Sequence, residues 1–312
     1  MRPLTHIPVL GSEVVASLKL LPGDEAIDAT LGLGGHASLI LKNIGPHGRL
    51  LGIERSAKGL VSARINLKEF DSQINLVQGD FRDLEAIARD HGYTEVAGVL
   101  FDLGLASWQI DTGEQGVSFQ VDTLLDMRLT PFTPHDFTSS DSDPNKWTGN
   151  AALARTVRAW RFRSAHEFIN SASAGEISNV LRSFGDIHIA RRLTERIVSG
   201  RAQTPVERTS DLVALIGSST PRLLALVFQA LRILVNDEFG ALVAGVRGGW
   251  RVVKSGGRLA VISFQSEEDR LVKRILRSLD GAGRILRLQP LPAEVNLNPR
   301  ARSSTLRVIE RK

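Results

Sequence analysis

The chain has no cysteine in its 312 residues. Disulfides, thiolate metal sites and thiol catalysis are therefore excluded, and a reducing compartment is compatible. No apolar run approaches the ~20 residues that a bilayer-spanning helix needs. The opening MRPLTHIPVL lacks the apolar stretch of a secretory signal and is too short for a transit peptide. These absences predict a cytoplasmic protein with no membrane partner. No group of His, Asp and Glu has metal-ligand spacing, so no metal is expected. No internal repeat is visible.

What is present is ordinary for a soluble fold: 42% hydrophobic and 23% charged residues, with a net charge of +5. A chain of this length buries a full core without covalent staples. The charge is uneven. Residues 247–312 carry 15 Lys+Arg against 6 Asp+Glu, and residues 151–210 carry 10 against 5. Such surpluses suit a polyanion, nucleic acid above all, although a solvated basic face has the same composition.

Strand and helix signals alternate over the first 110 residues. Strands are predicted at 25–32, 48–55, 74–80 and 96–104, and helices at 36–43, 57–68 and 83–90. The fourth strand, VAGVLFDLG, is apolar nearly throughout. That is the signature of a strand covered on both faces in a parallel sheet. The pattern returns late, with a helix over 236–254, a strand over 256–264 and a helix over 266–279 opening on Glu267, Glu268 and Asp269. Two last strands, 285–291 and 305–312, are expected to form an antiparallel edge. The fold class is α/β: a doubly wound, mostly parallel sheet with an antiparallel edge strand.

Between these halves the strand signals fade. A turn-rich stretch over 132–147 precedes helices predicted at 150–162, 187–198 and 219–235. The last of these opens on Thr220 and Pro221 and is apolar nearly all round. Residues 117–235 are accordingly expected to form an inserted all-helical subdomain, and the role expected of it is substrate recognition. Residues 1–116 and 236–312 form the cofactor-binding core.

The stretch DATLGLGGH, residues 28–36, sets Gly32, Gly34 and Gly35 between a strand and a helix. Glycines let the backbone approach a ligand, and the helix N-terminus offers unpaired N–H groups. Glu54, ending the second strand, stands where nucleotide sites hold a ribose. Gly32-x-Gly34-x-x-Ala37 also fits a dinucleotide turn. Asp28 tilts the choice towards S-adenosylmethionine (SAM), because an acid there serves an ammonium group and would repel a pyrophosphate.

Ten strings in order carry a resemblance over the whole chain: 6–10 (HIPVL), 28–36, 103–104 with 107–111, 116–119 (GVSF), 125–128 (LDMR), 228–233 (FQALRI), 235–238 (VNDE), 261–264 (VISF), 268–270 (EDR) and 298–303 (NPRARS). The sequence resembles the bacterial 16S ribosomal RNA (cytosine-N4) methyltransferase family, the RsmH or MraW group. The resemblance implies a class I SAM-methyltransferase (Rossmann-like) fold. It also implies methylation of the exocyclic amine of a cytidine near the decoding site, with 16S rRNA in the small ribosomal subunit as partner. Monomer and homodimer are both left open.

Carried over residue by residue, the resemblance places Gly34, Gly35 and His36 at the methionine end of SAM, beside Gly32 and Asp28. Glu54, where the family has Asp, takes the ribose. Phe81 packs on the adenine, Gln109 completes the pocket, and Asp102 stands at the reacting centre. Asp102 is the candidate catalytic residue: an acceptor for an N–H proton would localise the delocalised lone pair of the cytosine amine. Trp108 is a candidate to stack on the extruded base, and Arg300 and Arg302 are candidates to bind phosphate. Each also has a local reading. His36 suits a helix start, Phe81 a core position, Asp102 a helix cap, Trp108 local packing, and the arginines a solvated loop.

Some strings depart from the family. Arg222–Val227 is almost all apolar where the family is polar and basic, Gln265 replaces His, Glu267 replaces Leu, and Trp108 replaces Pro. Three readings therefore stand side by side: a SAM-dependent rRNA methyltransferase, a SAM- or RNA-binding paralogue without turnover, and an NAD-linked oxidoreductase.

Overall fold

The computed structural model describes residues 8–104, 114–129, 141, 143–217 and 220–312. The chain forms two compact units, Met1–Gly104 with Ala241–Lys312, and Leu105–Gly240.

The first unit is built on a seven-stranded sheet. Its strands are β1 (Glu25–Asp28), β2 (Arg49–Glu54), β3 (Ile74–Gln78), β4 (Val96–Asp102), β5 (Val253–Ser263), β6 (Leu286–Leu288) and β7 (Thr305–Glu310). Their order is β3-β2-β1-β4-β5-β7-β6. The first five strands are parallel neighbours. The antiparallel pairing expected at the far side is there: β7 runs against both β5 and β6. The antiparallel strand lies one place in from the rim, and three-residue β6 forms the rim itself. The glycine turn expected before the fifth strand falls inside β5, where Gly256 has φ +76° and the pairing register shifts between Val96 and Gly98.

The apolar run of β4 is buried from Val96 to Phe101, because helices cover both faces of the sheet. Helices α1 (Gly11–Leu18), α2 (Gly35–Ile44), α3 (Ala57–Asn66) and α4 (Leu84–Asp90) lie in the first half of the unit. Helix α2 buries Ala37, Ile40, Leu41 and Ile44, the i, i+3, i+4, i+7 stripe of an amphipathic helix. These side chains share a core cluster with Leu50, Leu100, Ala260 and Leu306. On the other side, Gly245 and Gly249 of helix Glu238–Val252 bring its backbone onto Phe81 and Phe101. Helix Ser266–Arg277 has the acidic first turn its sequence announces, and Arg274 and Arg277 in its last turn.

The second unit is helical: among its described residues there is no strand, only an isolated bridge between Leu124 and Arg208. Helices Ala151–Trp160, Ala190–Arg201 and Pro221–Asn236 answer to the three expected. Three more, Ala165–Ser171, Ala174–Gly185 and Thr209–Ile216, were not among those expected. Two of these are started by reciprocal capping boxes, Ser164 with Glu167 and Ser173 with Glu176. Trp160 packs edge-on to Phe168 at 5.4 Å, and Trp147 stacks on Phe184 at 6.4 Å.

Candidate active site

In an open parallel sheet, ligands bind outside the carboxyl ends of the strands where the strand order reverses. Here that point lies between β1 and β4. Asp28 is the last residue of β1, Asp102 of β4 and Glu54 of β2. The Thr30 hydroxyl accepts the Asp102 N–H at 2.6 Å, and the Thr30 N–H donates to Asp28 Oδ1 at 3.1 Å.

Both acids are placed against their hydration. Burial pushes the Asp28 carboxyl up to about 6; His36 and the Thr30 N–H pull it down, and Asp102 and Glu54 push it further up. Burial likewise pushes Asp102 up to about 7. Each carboxylate keeps one buried oxygen, Oδ2 of Asp28 and Oδ1 of Asp102, without a hydrogen-bond partner among the described residues. Buried polar atoms of that kind are costly unless a ligand completes them. The side chain of Asp102 as a whole keeps 24% exposure, so it stands at the mouth and not in the core.

His36, in the first turn of α2, is buried, which lowers its pKa; the charge of Asp28 and the Val9 carbonyl act the other way. Its Nε2 lies 2.9 Å from the Val9 carbonyl oxygen. A carbonyl only accepts, so Nε2 carries the proton. Nδ1 then faces Asp102 Oδ2 at 3.5 Å.

The glycine turn closes the site. Gly32 has φ +54° and Gly34 φ +86°. A Cβ on Gly34 would also lie 2.9 Å from the Leu67 side chain. Gly34 caps α2 without a side-chain bond, so the first turn of the helix is not closed by a local acceptor. Glu54 braces the turn from the next strand. Its Oε2 accepts from Gly32 N–H at 2.9 Å and its Oε1 from Ser56 N–H at 2.7 Å. Burial raises the Glu54 pKa, and these two N–H groups oppose the rise. Carboxylate oxygens have further lone pairs, so the group still accepts from a diol.

Asp28, Gly32, Gly34, Gly35, His36, Glu54 and Asp102 are thus gathered at one end of the sheet. Phe81 follows β3, half-buried, its ring edge-on to Phe101 at 5.8 Å. Trp108 and Gln109 lie outside the described residues. Arg300 and Arg302 belong to the 3-10 turn Pro299–Ser303 before β7; Arg302 is exposed and is not a partner of the acids. Two participants were missed in the sequence. Thr30 had a signal, an acid followed two residues later by a backbone donor, the pattern of an Asp-capped turn. Glu294, which accepts the Leu10 N–H, had none. Among the departures, Gln265 opens helix Ser266–Arg277, and its Oε1 is buried without a partner among the described residues. In the other unit, Leu224 and Val227 of the apolar segment are buried, while Arg222 and Ala225 are exposed. Leu224 and Val227 therefore serve core packing.

A sheet in this order, with one antiparallel strand between the fifth and sixth and acids at the ends of β1, β2 and β4 around a glycine turn, defines a SAM-dependent methyltransferase. The pattern of the MraW methylase family matches residues 3–141 and 154–312, and the chain belongs to that family. Ribosomal RNA small subunit methyltransferase H of Trichlorobacter lovleyi is 36% identical over 339 residues, covering 100% of this chain and 99% of that protein. The protein of the same name from Symbiobacterium thermophilum is 34% identical over 332 residues, covering 97% and 96%. That of Heliobacterium modesticaldum is 33% identical over 335 residues, covering 98% of each.

Proposed function

We propose that the chain methylates small-subunit ribosomal RNA in the cytoplasm, at the N4 amine of a cytidine near the decoding site, with SAM as donor. The observation that carries this reading is the pair of buried carboxylate oxygens, unpartnered among the described residues, at the adjoining ends of β1 and β4. Their chemistry asks for a cation and a proton donor. An ammonium and an N–H group answer it; a pyrophosphate would be repelled by both acids.

Bound in this site, SAM supplies a methyl group already activated by its sulfonium. The protein's work is then alignment and proton handling. Asp28 Oδ2 receives the cofactor's ammonium group, and Gly34, Gly35 and His36 line its methionine end. Glu54, anchored on Gly32 and Ser56, keeps acceptor capacity for the ribose hydroxyls. Phe81 packs against the adenine, and Gln109 completes the pocket. The target cytidine leaves its stack to reach the site, where Trp108 stacks on it and Arg300 and Arg302 hold phosphates. Asp102 Oδ1 accepts the N4 hydrogen. Its raised pKa makes it a base matched to neutral pH.

The test is methyl transfer from tritiated SAM onto small subunits lacking the modification, followed by nucleoside mass analysis. Formation of N4-methylcytidine is expected. Thermal-shift titration runs beside it: stabilisation by NAD and not SAM would overturn the reading. Binding of SAM without transfer would favour a paralogue without turnover, the reading that the altered 222–227 segment motivates.

A further inference from the structure

Glu294 lies in the short helix Pro292–Leu297, in the connection between β6 and β7. Its Oε1 accepts the N–H of Leu10 at 2.5 Å, and its Oε2 is buried without a hydrogen-bond partner among the described residues. Leu10 is fully buried and has φ +54°, a left-handed backbone that a leucine seldom adopts. The N–H of Leu10 and the carbonyl of Val9 are the two ends of one planar peptide group. That carbonyl accepts the Nε2 proton of His36 at 2.9 Å, and His36 Nδ1 faces Asp102 Oδ2 at 3.5 Å. A carboxylate, a peptide, an imidazole and a second carboxylate thus stand in series. Hydrogen bonds in series polarise one another. The carboxylate on the N–H end holds this left-handed peptide in place and strengthens its carbonyl as an acceptor, so the carbonyl stays on the Nε2 proton; without it the peptide turns away and the tautomer is released.

We propose that Glu294 is a positioning residue for methyl transfer: through the Val9–Leu10 peptide it fixes the His36 tautomer, and so sets the proton affinity of Asp102. The inference rests on the function proposed above. As N4 bonds to the methyl carbon and the carbon–sulfur electron pair passes to sulfur, the surplus N4 proton moves to Asp102. Protonation on Oδ1 discharges the carboxylate, so its Oδ2 no longer sets a negative charge against the bare lone pair of His36 Nδ1. Were His36 to carry its proton on Nδ1 instead, it would favour the carboxylate and weaken the base. Among the described residues, the charged groups around this pair are Asp28 from β1, Glu54 from β2 beside Asp28, and Glu294 itself.

The experiment uses the full chain. 15N-histidine NMR of the SAM complex, with His36 assigned through its loss in H36N, reads the tautomer without any turnover. Wild type should show an Nε2–H imidazole. Glu294→Ala should show the proton on Nδ1 or averaged over both nitrogens. In methyl transfer to unmodified small subunits, E294A should lower the plateau kcat about tenfold or more. The acid limb of its pH profile should move to lower pH, with the SAM Kd within threefold of wild type. Glu294→Gln keeps an oxygen for Leu10 N–H and should restore both tautomer and limb. If E294A does not fold, Glu294→Asp, too short to reach Leu10, carries the same expectation. A wild-type tautomer and pH limb in the truncated variant would overturn the inference, as would equal losses in E294A and E294Q with the tautomer unchanged. Absence of transfer by wild type would instead overturn the proposed function, and the NMR comparison would still decide the role of Glu294.

Discussion

The Thr30 hydroxyl accepts the backbone N–H of Asp102 at 2.6 Å, so one side chain joins the carboxyl ends of β1 and β4. Thr30→Val keeps the shape and removes the acceptor. A donor left unpaired at a strand end costs about 1–3 kcal/mol. The expected outcome is a urea midpoint lowered to match, with a larger loss in kcat than in SAM affinity, since Asp102 loses its register. Unchanged stability and kcat would mean that Thr30 does not position Asp102.

The two raised acids give the SAM-free protein a specific pH dependence. Asp28 at about 6 and Asp102 at about 7 lie above the ordinary 3.8, so the folded chain holds protons that the unfolded chain releases. Their stabilisation is full below about pH 4 and is lost as pH rises through 6 and 7. For Asp28 the loss is on the order of 3 kcal/mol. Asp28→Asn should therefore gain stability relative to wild type as pH goes from 5 to 8, measured by denaturation. SAM, a cation, should raise the melting temperature of wild type more at pH 8 than at pH 5.

The glycines of the turn are not equivalent. A Cβ at Gly32 meets nothing closer than the Thr30 carbonyl oxygen at 3.8 Å, whereas one at Gly34 meets Leu67 at 2.9 Å. Gly32→Ala bears only the left-handed backbone penalty, about 1–2 kcal/mol. Gly34→Ala adds a clash to the same penalty and should be the more destabilising of the two. The order is checked by denaturation and by SAM binding; the reverse order would refute the geometry.

Glu54 and Gly59 fit each other. A Cβ on Gly59 would lie 3.0 Å from Glu54 Cδ. In a helix, Gly→Ala ordinarily gains about 1 kcal/mol. Here that gain should vanish in wild type and reappear in the Glu54→Asp background, where the shorter acid leaves room. E54D alone should weaken SAM binding by about three- to tenfold as one of its two backbone bonds is lost. A double-mutant cycle with no coupling would remove the steric explanation.

Much of the core was legible from local pattern. Apolar runs ending in Asp28, Glu54 and Asp102 marked strands with an acid at the carboxyl end, and side-chain alternation and burial on both faces are properties of the run itself. The glycine turn was legible because Gly32 and Gly34 occupy backbone angles that other residues avoid. The helices at 165–171 and 174–185 were signalled by Ser-x-x-Glu pairs and lay within reach of the same reasoning. The contact between Glu54 and Gly32 was not, because it depends on where one strand sets its last side chain beside the next.

By itself the sequence determined the alternation of strand and helix, the glycine turn and the acids at the strand ends, because propensity and periodicity act over a few residues. Only the tertiary structure decided which acid oxygens are left unpaired among the described residues, which nitrogen of His36 holds its proton, and that Glu294 reaches Leu10. Those are properties of groups far apart in the chain. Burial and hydrogen bonding act on them only once the sheet has brought their strands side by side.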